Sequence, residues 1–217
     1  LLQALEERIA GLLAAQKRIS AQTRVLDEQA AGALPPPRAV RMKAGKLGQE
    51  EKDLAGEAAQ ALRLLREEGS TVVIPEIMET VHDDLLLAGA GLEEGRTGVE
   101  TQTLQEEIET LLAAVLDAIR KTREERREDQ DQRNKDDQGN QDQPLVPRSA
   151  ELRMIRILQN SVYLSTLRAA NLQAKEPEAA GRMARDLAAK QARIHELTRR
   201  LARRIDKDLS ADEEDGR

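Results

Sequence analysis

Along most of this chain, aliphatic side chains recur at alternating steps of three and four residues, and no Phe or Trp interrupts them. That spacing is the period of an α-helix, and it narrows the fold more than any other feature. A sheet would need a period of two and would draw on β-branched and aromatic side chains. The single aromatic residue is Tyr163, so a core has to be assembled from Leu, Ile, Val, Met and Ala interdigitating between helices. The one β-like run, Ser70-Thr71-Val72-Val73-Ile74, is too short and isolated to found a sheet. The spacing predicts an all-α protein: an elongated helical bundle of antiparallel coiled-coil hairpins, with about six helices.

Helix breakers divide the stripes. Gly32 and Leu34-Pro35-Pro36-Pro37 end a first helix, and Gly69 ends a second that starts near Arg38. Residues 1–68 thus read as a first helical hairpin. Pro75 suits the first turn of a third helix running to about Ala90, where Gly89, Gly91, Gly95 and Gly98 predict a loop. Thr97 and Glu100 have the spacing of a capping box before a fourth helix carrying Leu104, Ile108, Leu111, Leu112, Val115, Leu116 and Ile119. Residues 69–128 are therefore a central helix pair. Residues 129–148 read as a polar, disordered linker, since 129–143 hold almost no apolar side chain. Leu145-Val146-Pro147-Arg148 looks like an engineered protease site, but the helical stripe resumes directly after it, which argues for a native segment. Residues 149–208 form a second hairpin, its second helix opened by Pro177, and 209–217 an acidic tail expected to be mobile.

The two terminal hairpins share a pattern. Ile9, Leu12, Gln16, Ile19 and Thr23 align in spacing with Leu152, Ile155, Gln159, Val162 and Thr166. Leu47, Glu51 and Leu54 align in the same way with Leu187, Gln191 and Ile194. This weak internal duplication predicts hairpins that stack or pair, because one hairpin alone cannot cover its apolar face. A polar residue on such a seam favours the register in which it meets a partner, because an unpaired buried amide costs about 1–3 kcal/mol. Gln16, Thr23, Gln159 and Thr166 are the candidate register-setting positions, with Glu51 and Gln191 as partners across each hairpin. The other reading places these residues at the seam edge, facing water.

Patterns that would carry chemistry fail on spacing. There is no Cys, hence no disulfide or thiolate site. His82-Asp83-Asp84 has adjacent groups that point apart on a helix, so the three are expected on a solvated face rather than around a metal. His195 is expected at the surface. Gly89-x-Gly91-x-x-x-Gly95 follows a helix rather than a strand and lacks dinucleotide-site spacing. Asp129-x-Asp131 opens like a calcium loop, but Arg133 takes a ligand position. No nucleophile–base pairing is evident, so no cofactor, metal or catalytic residue is assigned.

The net charge of -6 argues against a nucleic-acid binder, as does the lack of aromatics among the cations. The last helix nevertheless has a basic bias across 182–207. Arg193, Arg199, Arg200, Arg203 and Arg204 are candidate contacts to an anionic membrane surface or RNA. Otherwise these cations face water or acids on the second and fourth helices. No apolar run reaches the ~18 residues of a membrane span. Residue 1 is Leu and the helical period is already running there, as expected of a mature or excised chain. A signal before Leu1 would place it in the periplasm or envelope, and its absence in the cytoplasm.

Two segments carry a resemblance. Pro144-Leu145-Val146-Pro147-x-x-Ala150-Glu151-Leu152-Arg153-Met154-Ile155-Arg156-x-Leu158-Gln159 and Glu100-Thr101-Gln102-Thr103-Leu104-Gln105-Glu106-Glu107-Ile108 resemble helical, envelope-associated proteins of planctomycete-type bacteria. The resemblance implies an envelope setting, near proton channels of the MotA/TolQ/ExbB type, and transfers no functional residue. The expectation is a non-enzymatic structural or protein-interaction scaffold, acting through a protein partner or self-association, in a cell-envelope assembly. The alternative is an anionic-surface module using residues 182–207.

Overall fold

A computed structural model describes residues 2–132 and 145–215. It is all-helical: α1 Leu2–Ala30, α2 Arg38–Glu68, α3 Val73–Glu93, α4 Val99–Gln132, α5 Arg148–Leu172 and α6 Pro177–Asp215. No strand occurs among the described residues.

The first two helices end at their glycines. The chain leaves α1 through Ala31 and Gly32, both at positive φ (48° and 73°). Gly69, at φ 73°, closes α2 and donates its N–H to Leu65 O at 3.2 Å.

The helices stack as three pairs. α1 and α2 form the first, α3 and α4 the second, α5 and α6 the third. α2 lies mainly on α3 and α1 on α4, so the first four helices enclose one core. The α5–α6 hairpin sits on the opposite side of α3 and α4 and does not reach α1 or α2. The buried apolar residues form one continuous cluster, so the central pair is the filling between two hairpins rather than a separate unit. This position explains the composition of α3. Val73, Ile74, Ile77, Met78, Val81, Leu85 and Leu92 are all buried, because neighbours cover the helix on both sides.

Several expectations need correction. α3 begins at Val73, before Pro75, because the carboxylate of Glu151 on α5 caps its start. Glu151 Oε1 accepts from Val72 N at 2.7 Å, from Val73 N at 3.1 Å and from the Thr71 hydroxyl. The β-like run thereby becomes a buried helix entry. Pro75 still lies in the first turn, where its missing N–H costs nothing. α3 continues through Gly89 and Gly91 to Glu93 instead of stopping at Ala90. Gly89 serves close packing: a Cβ on Gly48 of α2 would stand 2.6 Å from Gly89 O, and one on Gly89 would stand 2.9 Å from Gly48 O.

The expected capping box does not form. The Thr97 hydroxyl donates to Asp27 Oδ1 at 2.9 Å, tying the α3–α4 loop to α1, while Glu100 turns outward to Arg182. α4 extends to Gln132, so residues 129–132 of the expected linker are helix, and its residues 133–144 lie outside the described residues. α6 runs on through Asp215, so most of the expected tail is helix. Leu145 and Val146 are buried, and Leu145 N donates to Ser70 Oγ at 2.6 Å, so the segment resembling a protease site is an integral part of the core.

Candidate functional site

Two buried polar clusters and one bare helix face are the features from which function can be built.

The first cluster locks α1, α2 and α4 together. Gln16 and Thr23 are two helical turns apart on α1 and fully buried. Gln16 Nε2 donates to Glu51 Oε1 on α2 at 3.0 Å. Gln105 Nε2 on α4 reaches the same oxygen at 2.8 Å and Thr23 Oγ1 at 3.0 Å. Thr23 in turn donates to Ile19 O of its own helix at 3.1 Å. Burial, partly offset by the two amide donors, pushes the Glu51 carboxyl up to about 7 from its ordinary 4.5. Its other oxygen, Oε2, is buried without a partner, as befits a group close to protonation at neutral pH.

The second cluster joins α3, α4 and α6. Lys190 Nζ lies 2.6 Å from Glu107 Oε2, 3.0 Å from Asp84 and 3.0 Å from Asp186. Ser165 of α5 donates to Glu107 Oε1. Asp84 is 2% and Glu107 6% exposed, so two desolvated carboxyls share one ammonium, which can balance the charge of only one. Burial pushes Asp84 up to about 7 despite the pull of Lys190. For Lys190, burial alone would lower the pKa, but the surrounding carboxylates outweigh it and hold the ammonium well above its ordinary range. The expected solvated face at His82-Asp83-Asp84 is thus corrected at Asp84, which faces inward. Asp83 remains half-exposed and pairs with Arg193 at 2.7 Å.

The candidate register residues divide between the two hairpins. In the first, Gln16 and Thr23 are core, and the expected Gln16–Glu51 bond is present. In the second, Gln159 and Gln191 do pair amide to amide, at 3.1 and 3.3 Å, but both are exposed. Thr166 is exposed too and only caps back onto Val162 O at 2.7 Å. The buried line on α5 is Glu151, Met154, Leu158, Val162, Ser165, Ala169 and Leu172, rotated away from the expected seam. On α6 it is Met183, Leu187, Lys190, Ile194, Leu197 and Leu201. The hairpin turned these lines toward α3 and α4, leaving Gln159 and Thr166 outside.

The basic bias of α6 is partly consumed within the chain, by acids on α3 and α4 rather than on α2 and α4. Arg182 pairs with Glu100, Arg193 with Asp83, and Arg200 with Glu76. Arg199, Arg203 and Arg204 make no ion pair among the described residues.

The third feature is the outer surface of α5. Leu152 is 52%, Tyr163 57%, Leu164 45% and Leu167 46% exposed. An open groove of about 1060 Å³ runs along it, bounded by Ile194 and Thr198 of α6 and by Glu106 and Thr110 of α4.

Sequence spacing missed Gln105, Lys190, Asp84 and Glu151. A signal was present for Lys190, which falls on the same line as Met183, Leu187, Ile194 and Leu197. Glu151 carried no signal, since the amides it caps are about 80 residues away in the chain. Among the described residues no group of three or more His, Asp or Glu side chains is arranged to hold a metal ion. His82 Nδ1 meets Asp83 Oδ1 at 3.1 Å, and His195 is exposed. No protein-family model matches the chain, and no curated protein or solved structure does.

Proposed function

We propose that this chain is a non-enzymatic helical scaffold that works by docking other proteins, with a cell-envelope assembly as its setting. The observation that carries this reading is the bare apolar surface of α5, where four large side chains stand 45–57% exposed beside an open groove. Contiguous exposed apolar surface on an otherwise well-packed body marks interaction sites. The buried polar groups support the same reading, because they bond helix to helix.

The test is site-specific photocrosslinking of the full chain in its native cells. A crosslinker is placed in turn at surface positions on every helix, and the adducts are sized and identified. Discrete protein adducts are expected. Uniform absence of adducts from all helices would refute the scaffold role.

A second reading has one observation in its favour, the guanidinium groups of Arg199, Arg203 and Arg204 at the far end of α6, which make no ion pair among the described residues. It makes this end an anionic-surface contact for membrane or RNA. Such binding would fall steeply with salt and disappear when Arg199, Arg200, Arg203 and Arg204 are all replaced by Gln. Wild-type chain that ignores anionic vesicles and RNA at low salt would end this reading.

A further inference from the structure

The duplicated hairpins are covered differently, and the difference points to a missing helix. In the first hairpin, Ile9, Gln16, Ser20 and Thr23 of α1 are fully buried because α4 lies along that side of the hairpin. Their counterparts on α5, at the same spacing, are Leu152, Gln159, Tyr163 and Thr166, and all four are exposed. On α2, Ala44, Gly48, Ala55 and Leu62 are buried, whereas their α6 counterparts Ala184, Ala188, His195 and Ala202 are exposed. The polar pair at the centre persists in both: Gln16–Glu51 under Gln105 in one, Gln159–Gln191 exposed among the described residues in the other.

Charge indicates what would cover the second hairpin. The only acid on α5, Glu151, is spent on the start of α3. Its remaining charged side chains are arginines, and Arg153 and Arg156 stand exposed beside Leu152. Arg199 extends the same character onto α6. Glu106 on the α4 side of the groove is already held by Arg168 at 2.7 Å. A second copy of this hairpin would set arginine against arginine. α4, which covers the α1 side of the first hairpin while α3 covers the α2 side, is of the opposite kind: its residues 99–119 contain four glutamates and one aspartate and no Lys or Arg.

We infer that the α5–α6 face is a docking site for an acidic amphipathic helix of a partner protein. That helix would lie along α5 as α4 lies along α1, with an amide side chain over the Gln159–Gln191 pair. Leu152 and Tyr163 anchor its apolar stripe, and Arg153 and Arg156 flank it. This inference rests on the scaffold reading and specifies one of its surfaces.

The experiment uses a labelled peptide of residues 99–119 added to the full chain and read by fluorescence anisotropy and circular dichroism. A control peptide has Glu100, Glu106, Glu107 and Glu109 changed to Lys. Saturable binding of the acidic peptide is expected, with gain of helix, weakening as salt rises, and no binding of the control. The double variant Leu152→Asp, Tyr163→Asp should weaken it on the order of tenfold or more, with unchanged melting because both residues are exposed. Gln159→Leu tests the amide position and should weaken binding less. Absent binding, equal binding of both peptides, or binding indifferent to the double variant overturns the inference. So does a concentration-dependent dimer, or attachment to phosphatidylglycerol vesicles, lost in the same double variant, since a second copy or a lipid surface would then be the occupant. If the peptide fails while native-cell crosslinks still form from other helices, only this surface is wrong. If both fail, the scaffold reading falls with it.

Discussion

Replacing Glu51 by Gln should make the protein more stable above neutral pH and leave it nearly unchanged below pH 4.5. The Glu51 carboxyl is buried under Gln16 and Gln105, which raises its folded-state pKa from 4.5 to about 7. A raised carboxyl pKa means the folded state holds its proton after the unfolded chain has lost it. The associated stability is present in full below pH 4.5, declines as pH rises toward 7, and is gone above that. At about 1.4 kcal/mol per pKa unit, the shift corresponds to about 3 kcal/mol, an upper figure because buried sites relax and admit water. Gln at position 51 keeps an acceptor for the Gln16 and Gln105 amides and cannot ionise, so it lacks this decline. Urea unfolding of both proteins at pH 4.5, 6 and 8 measures it. The two curves should start close and diverge, with the variant ahead by about 1–3 kcal/mol at pH 8. Asp84 imposes a parallel decline on both proteins and cancels from the difference. A variant less stable than wild type at pH 8, or a gap independent of pH, would show that Glu51 is comfortably ionised in the fold and would refute the reasoning.

Lys190→Met leaves Asp84 and Glu107 facing each other without a cation and should cost about 3 kcal/mol at pH 8 by chemical denaturation. The cost should shrink toward pH 5, as Asp84 takes up its proton. Gly48→Ala drives a methyl to 2.6 Å from Gly89 O and should destabilise by about 1–3 kcal/mol in thermal melts. Gly45→Ala, on the same helix with nothing within 4 Å, should stabilise by about 0.5–1 kcal/mol, so the sign of the pair tests the α2–α3 crossing.

The helices themselves, and most of their ends, were legible from residue types. An aliphatic stripe at helical spacing is a local property, and Gly32 and Gly69 stop a helix through their own backbone freedom. The α1 seam was legible for the same reason: Leu5, Ile9, Leu12, Gln16, Ile19 and Thr23 form one narrow line, and all are buried. On α5 the apolar side chains are spread around more of the helix. Spacing could not say whether the line through Leu152 and Gln159 or the line through Met154 and Leu158 would face inward. The tertiary structure chose the second, because it sets Lys190 against Asp84 and Glu107 and Glu151 against the start of α3.

The sequence by itself determined that this protein is helical, where its hairpins turn, and that two of them share a pattern. Only the tertiary structure decided which copy of that pattern is sealed and which stands open. Periodicity is set within one helix by backbone geometry, whereas burial is set by a neighbour far away in the chain, and a helix carries no record in its own spacing of whether that neighbour exists.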